Sequence, residues 1–250
     1  MNIFSREFKI SSYDLNPQGK ARLTTMANFF QEIAYHHANE LGLGYDDMKS
    51  RKHMWVLSRM RIHMNRYPVW NERIKLETWP SGAEKLFALR DFRVLDSKGE
   101  EIGMASTAWL ILDIDTHRLI RPKEQMEQFK MIVHEKRMFD TSLDKITMPG
   151  ETRLMNQHDV VFSDLDIVGH VNNVRYMEWC IDAATSAENA DREIREFEIN
   201  FNHEALLGER INISGFESGS GEIFFHASRE EDGKEIISAR LNRISDIHQK

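Results

Sequence analysis

The chain has 250 residues and a mass of 29.3 kDa, enough for one large domain or two small ones with sizeable cores. A formal net charge of −7 and a pI of about 5.9 exclude a general nucleic-acid footprint, which needs a basic excess. With 41% hydrophobic and 29% charged residues, the chain reads as soluble and globular and not disordered. The longest apolar stretch, Ala108–Leu112, is too short to span a bilayer, so no membrane insertion is expected. The opening MNIFSREFKI has no apolar signal core. Cys180 is the one cysteine, which excludes an internal disulfide framework and fits a reducing, cytoplasmic compartment.

In chain order, a polar segment Tyr13–Ala21 comes first, then an apolar run at helical spacing: Met26, Phe29, Phe30, Ile33, Ala34, Ala38 and Leu41. Gly42 stops it. Period-two alternation at Ile62/Met64 and Ile74/Leu76 predicts strands, and Asp96-Ser97-Lys98-Gly99 a hairpin turn. The charged, Met-rich segment that follows is broken at Pro149-Gly150 and reads as a connector with some helix around Lys123–Val133. A second polar segment, Ser163–Val171, then opens a second apolar helix. Its stripe is Val171, Val174, Met177, Ile181 and Ala184, widened by Tyr176, Trp179, Cys180 and Ala183, so this helix should be buried. Alternation returns at Ile199/Phe201 and Ile211/Ile213, with a turn at Glu231-Asp232-Gly233.

This order is a duplication. Asp14, Leu15 and Gly19 recur 150 positions on as Asp164, Leu165 and Gly169. Asn71–Leu76 sets against Gly208–Ile213 at an offset of 137, and Gly99–Ile102 against Gly233–Ile236 at 134. Three matches in one order, with loop deletions between them, predict an α+β fold of two units, each one helix and an antiparallel sheet. The expected division is 1–122, a connector 123–157, and 158–250.

Chemistry concentrates in SDLDIVGHVNNVRYMEW, Ser163–Trp179. Asp166 and His170 stand four apart where the second helix begins. A helix N-terminus presents unpaired N–H groups and partial positive charge, the place to stabilise an oxyanion in acyl transfer. Gly169, Val171, Asn172 and Asn173 supply those donors in this reading, and His170 a general acid–base. Asp and Asn also stand at helix starts for structural reasons alone. The duplication weighs on this choice. Where the second copy has Asp166, His170, His203 and Glu204, the first has Asn16, Lys20, Arg66 and Tyr67. One active and one structural copy would give that asymmetry, and so would drift. No metal spacing, Walker sequence, G-x-G-x-x-G or G-x-S-x-G occurs, so neither metal nor cofactor is expected. Cys180 reads as a core residue, and Glu178 and Asp182 as a solvated helix edge.

These residues resemble the acyl-acyl-carrier-protein thioesterases of plant plastids and bacteria. The matching stretches run from Arg6-Glu7-Phe8 through Ser12-Tyr13, Asn28–Glu32, Trp55–Met60, Arg66-Tyr67-Pro68-Val69-Trp70 and Trp109–Asp113 with Thr116, Arg118 and Pro122, to SDLDIVGHVNNVRYMEW. The D-x-D-x-x-G-H-V-N-N part also resembles single-unit thioesterases; the Arg-Tyr-Pro-x-Trp block and the two-unit layout are more specific. The resemblance implies a tandem hotdog fold, hydrolysis of fatty acyl-carrier-protein thioesters, and acyl carrier protein as partner. It implies a bacterial-type cytosolic enzyme without a plastid-targeting extension, as monomer or homodimer. Its catalytic pattern is an Asp, an Asn, a His and an acidic residue in a later strand, and these fall on Asp166, Val168, His170 and Glu204. Val168 departs from the pattern. Ala205 stands where the family's proposed cysteine would be, which excludes a cysteine nucleophile there. The carrier is acidic, so a local basic area is needed; Arg118, Arg121, Lys123, Lys130, Lys136 and Arg137 are the docking candidates, or else a solvated linker. A coenzyme A thioesterase, a non-catalytic acyl-binding module and a hotdog dehydratase are the competing readings.

Overall fold

The computed structural model describes residues 3–122, 136–186 and 189–243. The chain separates into two units, Met1–Leu143 and Asp144–Lys250. In the first, β1 (Phe4–Lys9) leads through a 3-10 turn (Ser12–Asp14) to α1 (Leu23–Glu40) and a short α2 (Tyr45–Ser50). Then come β2 (His53–Met64), β3 (Arg73–Glu84), β4 (Phe87–Leu95), β5 (Glu101–Asp113) and the two-residue β6 (Leu119–Ile120). The sheet is antiparallel in the order β1-β3-β4-β5-β2, with β6 on β5. The second unit repeats the plan with β7 (Arg153–Asp159), a turn (Phe162–Asp164), α3 (Asn173–Ala184), β8 (Ile194–Phe201), β9 (Arg210–Glu217), β10 (Ile223–Arg229) and β11 (Glu235–Arg243). Its order, β7-β9-β10-β11-β8, is the same topology. The α+β reading of two helix-plus-sheet units holds. β7 takes up Arg153–Gln157, the end of the segment expected as connector, because those residues pair with β9.

The duplication extends to single hydrogen bonds. Asn16 N–H donates to Lys20 O at 2.8 Å and Asp166 N–H to His170 O at 2.8 Å. Asn65 and Arg66 both donate to Ile102 O, and Asn202 and His203 both donate to Ile236 O. Glu72 caps Val69 N–H at 3.0 Å, and Glu209 caps Leu206 N–H at 2.9 Å. In the Arg-Tyr-Pro-x-Trp block, Arg66 has a structural role. Arg66 bridges Glu72 at 2.8 Å and Asp96 at 2.9 Å, tying the β2–β3 loop to the β4–β5 hairpin.

α1 buries Leu23, Met26, Ala27, Phe30, Ile33, Ala34 and His37, a stripe at helical spacing against its sheet. Phe30 meets Phe92 of β4 with ring centroids 5.1 Å apart. His37, 2% exposed, accepts a hydrogen bond at Nδ1 from Arg90 at 2.9 Å, and Arg90 also donates to Thr78 Oγ1. Burial, and then the Arg90 charge, lower the pKa of His37 from 6.5 to about 4. Between those values the unfolded chain binds the proton and the folded chain does not. Stability is therefore full above pH 6.5 and falls as pH drops toward 4. The expected loss is about 3 kcal/mol, at about 1.4 kcal/mol for each pH unit separating the two pKa values. Urea unfolding of the wild type and of His37→Phe at pH 7.5 and pH 4.5 measures it. The pH difference should shrink by most of that amount in the variant, since pH 4.5 stops short of the folded-state value; an unchanged difference would place the acid sensitivity elsewhere.

Residues 136–143 are packed on the first unit's sheet. Trp79 Nε1 donates to Lys136 O at 2.8 Å, Arg61 lies over the Phe139 ring at 4.4 Å, and Leu143 joins Leu89 and Ala108. Asp91, wholly buried on β4, accepts from Arg137 Nε and Met138 N–H, each at 3.1 Å, and from Ser106 Oγ. In the second unit Asn200 of β8 accepts from Ile146 N–H at 2.7 Å. This part of the expected connector is thus pinned by named bonds. The helix expected around Lys123–Val133 lies outside the described residues.

Candidate active site

The segment Phe162–Asn172 is a loop closed on itself. Leu165 bridges Val171, and Gly169, with φ +83°, makes the turn that a side chain would strain. Asp166 Oδ1 accepts from Val168 N–H at 2.9 Å and from His170 N–H at 3.2 Å. In the first unit Asn16 Oδ1 accepts from Gln18 and Lys20 N–H at 3.1 and 3.0 Å. One side-chain oxygen therefore does the same turn-closing work in both copies. What Asp166 adds is a second oxygen and a negative charge.

The helix begins later than the sequence suggests. Gly169 and His170 belong to the loop, Asn172 is the N-cap, and its side chain accepts from Val174 N–H at 2.9 Å. This changes the donor assignment. Gly169 N–H donates to Asp166 O, Val171 N–H to Ala205 O and Asn172 N–H to Asp164 O. Those three amides, and that of His170, are consumed within the fold. Asn173, the first helical residue, keeps a backbone N–H with no bonding partner among the described residues.

Glu204 sits not in a strand but in the loop after β8, because the chain must turn there before β9. Two bonds bring this loop to the first. Ala205, fully buried, accepts at its carbonyl from Val171 N–H at 3.1 Å and donates its own N–H to Tyr176 Oη at 2.9 Å. The Glu204–Ala205 step is thereby tied to Val171 and to Tyr176. Burial raises the Tyr176 phenol pKa above the ordinary tyrosine range; the Ala205 N–H opposes this, and the charges of Glu204, Glu209 and Asp166 add to it. The His170 imidazole and the Glu204 carboxylate have no hydrogen-bond partner among the described residues. Both are available to something else.

Sequence reasoning missed two participants. Tyr176 read as a widening of the apolar stripe; only the fold shows its hydroxyl spent on Ala205. His158 was not singled out, yet its Nε2 meets buried Asp164 Oδ2 at 2.8 Å while its ring stacks on Trp179 at 4.3 Å. Phe8 and Phe29 make the matching stack in the first unit, at 4.5 Å. The offset of 150 could have exposed both differences. Cys180 is buried on α3 and burial raises its thiol pKa, as a core residue requires. Of the docking candidates, Arg118 and Arg121 are exposed and so is Lys136. Arg137 is corrected: it is held by Asp91. Lys123 and Lys130 lie outside the described residues. Among the described residues no three His, Cys, Asp or Glu side chains are placed to hold a metal ion, and no helix is long and apolar enough to cross a membrane.

Residues 1–129 match the family model of the acyl-ACP thioesterase N-terminal domain, and residues 148–242 that of the C-terminal domain. The chain belongs to the acyl-ACP thioesterase family. Among its curated relatives, the chloroplastic palmitoyl-acyl carrier protein thioesterase of Cuphea hookeriana is 26% identical over 95% of this chain, and the dodecanoyl-[acyl-carrier-protein] hydrolase of Cinnamomum camphora is 26% identical over 95%. The chain spans 61% and 66% of the lengths of those two relatives. Two solved structures share the fold. An acyl-ACP thioesterase from Bacteroides thetaiotaomicron superposes with a TM-score of 0.86 at 22% identity, covering 97% of this chain and 98% of that one. The 12:0-ACP thioesterase from Umbellularia californica gives 0.84 at 22%, covering 97% of each. The tandem hotdog expected from the resemblance is the fold that these family members share with it.

Proposed function

We propose that this chain hydrolyses the thioester of fatty acyl-acyl carrier protein and releases the free fatty acid. The observation that carries the reading is the asymmetry between two repeats of the same strand topology. The second carries Asp166, His170 and Glu204 on two loops joined by the Val171–Ala205 backbone bond, where the first has Asn16, Lys20 and Tyr67. Family membership supplies the reaction class.

In this reading the thioester carbonyl sits at the first turn of α3. Asn173, through a backbone N–H with no bonding partner among the described residues and through its side-chain amide, is a donor for the carbonyl oxygen. Water attacks the carbonyl carbon as a carboxylate, Asp166 or Glu204, takes its proton. The C–S bond then breaks, and the departing thiolate takes a proton from His170. Ala205 offers no nucleophile, so the attacking atom is water oxygen. Val168 lends only its backbone N–H, which closes the loop on Asp166. Carrier docking falls to exposed Arg118 and Arg121. The lone cysteine supports a cytoplasmic setting.

The test is thiol release from a panel of acyl-carrier-protein thioesters and the matching coenzyme A thioesters. Faster release from the carrier, lost in His170→Ala, is the expected result. Release only from coenzyme A would move the substrate, and none from either would leave an acyl-binding module. Arg118→Glu with Arg121→Glu should raise KM for the carrier substrate by roughly 5- to 50-fold at low salt, with less effect at high salt, and leave kcat in place. An unchanged KM removes that surface.

A further inference from the structure

We infer that Tyr176 is a positioning residue for Glu204, acting through the single peptide group that joins Glu204 to Ala205. The inference rests on the function proposed above. That peptide is held at both ends. Its N–H, on buried Ala205, donates to Tyr176 Oη at 2.9 Å, and its C=O accepts from Arg229 Nη2 at 3.4 Å. Arg229 is itself fixed by Glu209 and Asp232, each at 3.1 Å. A peptide clamped at N–H and C=O cannot rotate about its Cα–Cα axis, which fixes the Glu204 Cα; with His203 N–H bonded to Ile236 O at 3.1 Å on the other side, the direction in which the Glu204 side chain leaves the backbone is restricted.

The first repeat shows that this clamp belongs to the second copy alone. Position for position, Tyr176 corresponds to Met26 and Ala205 to Pro68. The neighbouring bond is kept, since Ala21 N–H donates to Pro68 O at 2.8 Å as Val171 N–H does to Ala205 O. The clamp itself is absent: proline has no N–H to give and methionine no hydroxyl to receive it. The two differences interlock. A methionine at 176 would leave the Ala205 N–H buried without an acceptor. The first repeat restrains the same point with a proline ring, and carries buried Tyr67 where the second carries exposed Glu204. A hydrogen-bonded clamp therefore accompanies the carboxylate.

The test compares three proteins on the best thioester of the panel: wild type, Tyr176→Phe, and Tyr176→Met combined with Ala205→Pro, the first repeat's own solution. Circular dichroism melts establish folding for each. Tyr176→Phe should lower kcat about 10- to 100-fold with KM within about twofold, because binding is kept while Glu204 is misdirected. The double variant, whose proline fixes the same peptide, should recover most of that kcat. A merely structural tyrosine predicts instead a lower melting temperature with kcat unchanged. Wild-type kcat in folded Tyr176→Phe, or a double variant as slow as the single one, overturns the inference and leaves the proposed function standing. A wild type inert toward every thioester overturns both.

Discussion

Asp166→Asn is expected to reduce turnover of the acyl thioester by roughly 10²- to 10⁴-fold, the usual weight of a general base, while leaving the fold in place. The protein already contains the control. Asn16 closes the corresponding turn of the first unit with bonds of 3.1 and 3.0 Å to Gln18 and Lys20, where Asp166 makes bonds of 2.9 and 3.2 Å to Val168 and His170. An asparagine oxygen is thus sufficient for the loop. The substitution removes only the charge and the oxygen that does not serve the turn. Thiol-release kinetics and a melting curve read the two consequences separately. A low kcat with a melting temperature within a few degrees of wild type supports the assignment. Loss of folding in step with loss of activity would make Asp166 a structural cap.

Asp91→Ala should be the most damaging single change to stability. The carboxylate is wholly buried and collects Ser106 Oγ, Arg137 Nε and Met138 N–H. Removing it leaves a half-buried guanidinium, a hydroxyl and an amide without that acceptor. Breaking such a pair from one side costs about 3–5 kcal/mol, because the other charge stays uncompensated. At roughly 2–4 °C for each kcal/mol in a protein of this size, the melting temperature should fall by about 10 °C. Asp91→Asn keeps an acceptor and should lie between the two. Residues 136–143 should also become the first site of limited proteolysis, since Asp91 anchors that strand of chain to the sheet. A midpoint within about 2 °C of wild type in Asp91→Ala would show that Trp79, Arg61 and the packing of Leu143 hold the segment without it.

Much of the architecture was legible because duplication writes the same instruction twice. Helical spacing at Met26–Ala34 and at Val174–Met177, and alternation at Ile74/Leu76 and Ile211/Ile213, each appear in both copies, and the structure builds them into the same topology. Asp166, His170 and Glu204 were legible as differences between the copies, a signal that one unit alone would not carry. The helix starts later than the sequence suggests. Gly169-His170 resembles a helix opening, but bonds between Asp166 and His170 close the loop first and defer the helix to Asn173. The backbone N–H groups of Gly169, Val171 and Asn172 are spent within the fold for the same reason, since a sequence shows which amides exist and not which are already bonded.

By itself, then, the sequence determined the two units, their periodic elements and the copy in which reactive residues gather. Those properties depend on side-chain type and local spacing, and a linear string records both. Only the tertiary structure decided that Tyr176 and Val171 grip Ala205, that Asp91 is spent on Arg137 and Met138, and that the Asn173 amide has no partner among the described residues. Each of these joins, or fails to join, groups far apart in the chain: Tyr176 and Ala205 are 29 positions apart and Asp91 and Met138 are 47. Such partners meet only when the sheet brings them together, and no local pattern of residues encodes a bond that the closing of the fold creates.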